Sequence, residues 1–355
     1  MLSDEPKSYT IYVKIAQMVA QFGFITTSFF CYILIFLTVF GVSRNFGSYK
    51  YLLIIFPTVG IFFATMEVIL YPNVYSHNAG YVFYSTSRPF NLEKDVVRLL
   101  LCFYTGIYAS TISLLSVQFL YRYWAIFDET KLRFFKGWRF SFSVIYSIVF
   151  GIIWAIGILI FDEIDDYSKE YLNAQMIEKY NIDISEVSGM AVVAYDSKGS
   201  VRWFNISSTF TMTFVMLVQY TIIIYCAYFM YRGMEEKLKM LSLSLRNLHK
   251  QFFKTLILQI VLPTITLFSP VILIIYVPFL DIEADLPTGI FLCAFTLYPA
   301  MDAIIVMYIV ADYKKAAKKL ARKLLEKCNA LLGTLDVEPS TTQTGSNAKA
   351  AVNNA

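Results

Sequence analysis

Ionisable and amide side chains set inside long apolar runs are the residues of this chain whose chemistry stands out. Arg122 interrupts the run from Ser110 to Phe127, between Tyr121 and Tyr123, and Glu67, Gln118, Gln219, Gln259 and Asp302 sit likewise in apolar stretches. Lipid offers such groups no hydrogen-bond partner, so they must face protein or one another. An ionised side chain at mid-membrane costs about 2.5–3.5 kcal/mol, and less where it snorkels to an interface, which puts Arg122 at a membrane edge. The pattern suits recognition and switching, with structural glue between helices as the plainer alternative. It does not suit catalysis within the spans. Asp302 is the only aspartate there, and His77 and His249 fall in loops, so no enzyme is expected. Cys31, Cys102, Cys226, Cys293 and Cys328 form no CxxC pair and no ligand-spaced cluster, so neither a metal, a cofactor nor a disulfide framework is expected.

The elements that must position these residues follow from hydropathy. Hydrophobic residues make up 57% of the chain and charged residues only 16%, too few to cover a water-facing surface of this size. The chain is an integral membrane protein, with no nucleic-acid partner expected. Stretches long enough to cross a hydrocarbon core recur at 16–41, 51–71, 98–124, 140–161, 205–231, 252–278 and 287–310. The fold expected is all-α, a bundle of seven transmembrane helices over residues 1–310. Pro263 and Pro270 should kink the sixth, since each removes a backbone donor.

Alternate connections carry 18 and 8 lysines plus arginines, and the basic side is cytoplasmic, which leaves the amino terminus outside and the carboxyl terminus inside. Arg122 then closes the third span at the cytoplasmic face. The outer connection Asp162 to Arg202 holds nine carboxylates against four basic residues, an acidic rim or a loop kept soluble by its charge. Asn205-Ile-Ser207 fits a glycosylation acceptor. Residues 311–328 read as an amphipathic helix on the inner leaflet, with Tyr313, Ala317, Leu320, Leu324 and Cys328 on one face and lysines on the other. Anionic lipid would hold it, and Cys328 is a palmitoylation candidate or a free thiol. Residues 329–355 lack the large apolar groups needed to fold and are expected to be a disordered tail.

Several stretches carry a resemblance: Phe46-Gly-Ser-Tyr-Lys-Tyr-Leu52, Phe119-Leu-Tyr-Arg-Tyr-Trp-Ala125, Leu248-His-Lys-Gln-Phe-Phe-Lys-Thr-Leu-Ile-Leu-Gln259, Val261-Leu-Pro-Thr264, Leu297-Tyr-Pro-Ala-Met-Asp302 and Asp312-Tyr-Lys314. With Tyr195 to Trp203, they resemble the nematode Str chemoreceptors, serpentine receptor class r, the family that includes the worm diacetyl odorant receptor. The likeness covers roughly residues 20 to 315. It implies an olfactory G-protein-coupled receptor in the plasma membrane, in the ciliary membrane of a sensory neuron, with a heterotrimeric G protein as partner and homo- or hetero-oligomers open. The resemblance places Arg122 where rhodopsin-like receptors carry the arginine of their Asp-Arg-Tyr motif, with Tyr121 in place of the acidic residue. It makes Pro299 the seventh-helix proline, with Tyr298 and Asp302 where those receptors carry asparagine and tyrosine. Residues 162–203 hold no cysteine to pair with Cys102, so the usual bridge to the outer loop has no partner there. Cys31 and Ala303 stand where Str members often carry asparagine and proline.

A receptor needs an outward ligand site, a bistable element and an inner surface. Tyr104, Tyr108 and Thr111 of the third span, Glu67 and Gln118, and Thr209, Met212, Thr264 and Phe268 of the fifth and sixth are the pocket candidates, suited to a small volatile or weakly polar odorant. Helix packing is the alternative for each. Tyr121, Arg122, Tyr123, Pro263, Pro270, Tyr298, Pro299 and Asp302 are the switch candidates. The inner loop adds Arg232, Lys237, Lys239, Arg246 and Lys250. Other readings are a receptor for a pheromone or peptide, and a ligand-gated channel or transporter subunit. The latter calls for polar rings or internal repeats, and neither is found.

Overall fold

The computed structural model describes residues 10–42, 47–239, 257–280, 285–286, 292 and 294–335. Apolar residues on all sides of long segments leave the backbone one way to satisfy its polar groups in lipid, which is to coil on itself. The chain does so in α1 (Thr10–Phe36, prolonged by a π-helical turn Leu37–Gly41), α2 (Tyr49–Leu70), α3 (Lys94–Phe127), α4 (Phe140–Phe161), α6 (Trp203–Lys239) and α7 (Ile257–Leu280). These six are long and apolar enough to cross a membrane. A shorter apolar helix, α8 (Leu297–Ile309), follows the 3-10 turn Ala294–Thr296, and the start of the span expected at 287–310 lies outside the described residues. Between α4 and α6 lies α5 (Asp166–Tyr180), and after α8 comes α9 (Ala311–Leu335).

The expectation of an all-α chain is corrected at one end of the bundle. Four strands, β1 (Asn73–His77), β2 (Gly80–Ser85), β3 (Ser188–Val193) and β4 (Asp285–Leu286), form an antiparallel sheet ordered β3-β2-β1-β4. Asn78, in the left-handed region at φ 45°, turns the β1–β2 hairpin, where asparagine tolerates positive φ. The segment read as a solvated acidic loop is therefore built. Its helix α5 opens on Asp165, whose carboxylate accepts from the Ser168 N–H at 2.8 Å. The Leu172, Met176 and Tyr180 face of α5 packs with Tyr75, Val82 and Tyr84 of the sheet, burying apolar area that the charge count conceals.

The central helix is α3. In its apolar window 78% of residues are buried, against 28% to 50% in the other long helices. It packs on α4 at backbone distance through facing glycines: a Cβ on Gly151 would come to 2.6 Å from the Gly106 carbonyl oxygen and 2.1 Å from Ser110 Oγ. In α7 the expected kink takes another form. The helix runs on through both Pro263 and Pro270, with a π-helical turn Thr264–Phe268 between them that absorbs the interruption. On α9, Tyr313 is buried with its hydroxyl 3.0 Å from Thr38 Oγ1, and Ala317 and Leu320 are half-buried against the same cluster. Leu324 and Cys328 stay exposed, and the helix continues through 329 to Leu335, where tail was expected; residues 336–355 lie outside the described residues.

Gly151→Leu should separate α3 from α4. The expected cost is on the order of 1–3 kcal/mol or more for overpacking, read as a lowered midpoint of thermal unfolding in detergent.

Candidate functional site

Two sites lie along α3, one toward each end. The first surrounds Arg122, which is 8% exposed and does not snorkel outward. Its Nε donates to the Tyr49 hydroxyl of α2 at 2.9 Å, Nη2 donates to the same oxygen, and the guanidinium lies 5.4 Å from the Tyr49 ring centroid. Nη1 donates to Gln259 Oε1 of α7, and Gln259 Nε2 donates to Asp302 Oδ1 of α8. One amide thus relays between a buried cation and a buried carboxylate, tying four helices together. Hydrogen bonds to charged groups contribute about 1.5–3 kcal/mol each, enough to offset the burial of one guanidinium. Tyr121 supports the arrangement, its ring 5.1 Å from Tyr49 and 4.9 Å from Phe135. Tyr123 faces α6, 5.9 Å from Tyr225, and is not part of the chain of bonds.

Near Asp302, Tyr298 is buried edge-on against Phe56. Pro299 abuts Gly60 of α2, where a Cβ would meet the proline ring at 2.4 Å, and its carbonyl accepts from Cys31 Sγ at 3.6 Å. Sequence reasoning singled out Arg122, Gln259 and Asp302 but missed Tyr49, although it lies in one of the quoted motifs. The guanidinium's need for a second buried partner was the available signal. Of the basic inner-loop candidates, Lys237, Lys239, Arg246 and Lys250 lie outside the residues whose side chains are described.

The second site is a cavity under the sheet. Tyr104, Thr105 and Tyr108 of α3 line it with Trp154, Ile158 and Asp162 from α4, Met212 of α6 and Val271 of α7; Val74, Tyr81, Phe83 and Met190 of the sheet form its roof. Its hydroxyls are already engaged. Tyr104 donates to Glu67 Oε2, Thr105 to the Cys102 carbonyl at 2.7 Å, Tyr81 to Asp162 Oδ2 at 3.5 Å, and Tyr108 to the Leu267 carbonyl at 3.0 Å. Trp154 Nε1 and Asp162 Oδ1 are buried lining atoms with no hydrogen-bond partner among the described residues. Burial pushes the Asp162 carboxyl well above the usual carboxylate range, against the opposing effects of Ser208, Tyr81 and Arg98.

Of the pocket candidates, Tyr104, Tyr108 and Met212 line this cavity and the others do not. Glu67 is buried behind Tyr104. Thr111 bonds back to the Ile107 carbonyl at 2.9 Å, and Gln118 and Thr209 are buried outside the lining. Thr264 and Phe268 lie instead on a groove between α6 and α7. The roof and the α4 wall were missed, because no periodicity over the spans reveals which loop folds over them. The glycosylation candidate Asn205 is buried in the first turn of α6, and its Nδ2 donates to the Phe161 carbonyl at 3.2 Å.

The geometry has a family counterpart. A family model described as serpentine type 7TM GPCR chemoreceptor Str matches residues 16–318. The chain belongs to this family. Its seven-helix architecture, its membrane location and its receptor, non-enzymatic class follow from that membership. This Str receptor is 34% identical over 312 residues to the G-protein coupled receptor str-33 of Caenorhabditis elegans, covering 86% of this chain and 90% of the relative. It is 30% identical over 284 residues to serpentine receptor class r-10 of the same organism, covering 77% and 81%. The Caenorhabditis briggsae class r-10 receptor is 28% identical over 290 residues, covering 78% and 82%.

Because Gln259 couples Arg122 to Asp302, substitutions at the two ends should not add. Arg122→Leu and Asp302→Leu each leave a buried charge without its counterpart. The double variant is expected to be less destabilised than the sum by about 0.5–3 kcal/mol in thermal unfolding.

Proposed function

We propose that this Str receptor is an olfactory receptor whose roofed cavity takes a small, neutral, weakly polar odorant and whose Arg122 end engages a heterotrimeric G protein. The proposed setting is the ciliary plasma membrane of a chemosensory neuron, amino terminus outside and carboxyl terminus in the cytoplasm. The ligand class rests on the lining: aromatic and aliphatic walls, and Trp154 Nε1 as a buried donor ready for one acceptor atom. A sheet of buried residues over the cavity supports a small odorant over the pheromone or peptide alternative.

The observation that carries the reading is that one helix meets both sites. In α7, the π-turn carbonyl of Leu267 accepts from the cavity residue Tyr108, while Gln259 of the same helix holds Arg122. Odorant that displaces Tyr108 or Val271 biases α7, and an outward shift of its Gln259 end breaks the hydrogen bonds that restrain the guanidinium. Moving such an equilibrium from 1:99 to 99:1 needs about 5.5 kcal/mol of differential binding. Exposed Cys328, at the far end of the α9 face, remains the proposed acylation point beside an inner leaflet.

In cells carrying the receptor and a calcium or cyclic-nucleotide reporter, screened against volatile and soluble panels, Arg122→Ala should abolish the odorant response with surface expression intact. Gln259→Leu should raise ligand-independent output by about tenfold, the equivalent of roughly 1.4 kcal/mol of lost restraint. Full signalling by Arg122→Ala would remove this arginine from the mechanism. Tyr108→Phe keeps the ring and deletes only the bond to Leu267, so odorant binding should persist while the maximal response changes. An unchanged maximum would show that the signal travels by another route.

A further inference from the structure

The groove where α1, α8 and α9 meet combines apolar walls with cations at its edge. It is walled by Phe29 and Ile33 of α1, Ile304 of α8, and Leu320 and Leu324 of α9. Phe29, Tyr308 and Leu324 around it are 59%, 68% and 55% exposed, so apolar area lies open on a lipid-facing side. Two cations, Lys314 and Lys318, belong to the same lining, and no carboxylate does. Lys314 Nζ is held 4.5 Å from the Tyr308 ring centroid, a cation–π placement that fixes an ammonium beside the groove. The remaining basic residues of α9, among them Lys315 and Lys319, lie outside the lining.

We propose that this groove binds one anionic phospholipid, an acyl chain lying between α1 and α9 and its phosphate-bearing headgroup held by Lys314 and Lys318. An apolar trough with cations at its edge matches an amphiphile of opposite charge. Neither a soluble anion nor a neutral lipid satisfies both parts. The site differs from a diffuse basic surface because it assigns the headgroup to two lysines out of the many on this helix. It rests on the placement of α9 at a membrane surface, and it is independent of which odorant the cavity takes.

The test uses the full receptor purified in detergent, with dioleoylphosphatidylserine or dioleoylphosphatidylcholine added and retained lipid counted by native mass spectrometry. The receptor should retain one phosphatidylserine in preference to phosphatidylcholine. Lys314→Gln with Lys318→Gln should weaken that retention about tenfold or more. Ala321→Trp, which fills the groove and leaves the charge unchanged, should weaken it as well. Lys315→Gln with Lys319→Gln, the same charge change away from the lining, should not. Equal losses in the two lysine pairs, full retention by Ala321→Trp, or equal retention of phosphatidylcholine would each overturn the proposal. A fluorophore on Cys328, in a Cys293→Ser background reconstituted into phosphatidylserine nanodiscs, separates the premise from the inference. A water-like emission overturns the membrane placement of α9 itself. A bilayer-like emission without selective lipid retention overturns the groove alone.

Discussion

A guanidinium cannot be deprotonated, so a chain that buries one must surround it with acceptors or leave it at the water's edge. This receptor does the former. Arg122 takes a phenol from α2 and an amide from α7, and the amide in turn reaches a carboxylate on α8. The positions of α2, α7 and α8 around this end of α3 are conditioned by that requirement. Rhodopsin-like receptors meet the need with an acidic neighbour. Here the neighbour is Tyr121, whose ring props up Tyr49, and the countercharge is supplied through Gln259 from another helix.

The other polar ties divide the bundle into parts of different stiffness. Gln219 of α6 accepts from Ser116 of α3 at 2.6 Å and from Tyr146 of α4 at 2.9 Å, while Tyr104 of α3 bonds Glu67 of α2. With Gly106 against Gly151, these ties fix α2, α3, α4 and α6 as one platform. In α7, by contrast, a π turn sits between two prolines, and the helix meets the platform through single bonds at separated heights: Gln259, Thr264 to Tyr220 at 3.3 Å, the Leu267 carbonyl, and Tyr276 to Thr213 at 2.8 Å. A helix that already departs from regular geometry at its centre is the element of the bundle least costly to shift.

How much of this was legible in the chain follows from the kind of residue involved. Arg122, Gln259 and Asp302 stood out because a polar group in a 20-residue apolar stretch is conspicuous at any register. Tyr49 did not, since a tyrosine near a span boundary reads as an ordinary interfacial anchor. The sheet was hidden for a different reason. Asn73 to Ser85 is too short to span and too mixed to be read as core, and its pairing with Ser188 to Val193 joins segments over a hundred residues apart, which local periodicity does not report. Pro263 and Pro270 advertised an irregular helix correctly, but whether a proline bends a helix or is absorbed in a wider turn depends on neighbours such as Tyr108 and Ser269 that offer other bonds to its carbonyls.

The engaged hydroxyls of the cavity carry a last implication. An odorant seated there, as proposed, would be sorted chiefly by volume, because the phenols and threonine of the wall are already committed to protein partners. Each methylene that fits would add about 0.8 kcal/mol, until it meets the roof of Val74, Phe83 and Met190. Along a homologous series of straight-chain compounds, potency should therefore climb steadily with carbon number and then fall off abruptly, a ruler set by the closed end of the barrel of helices.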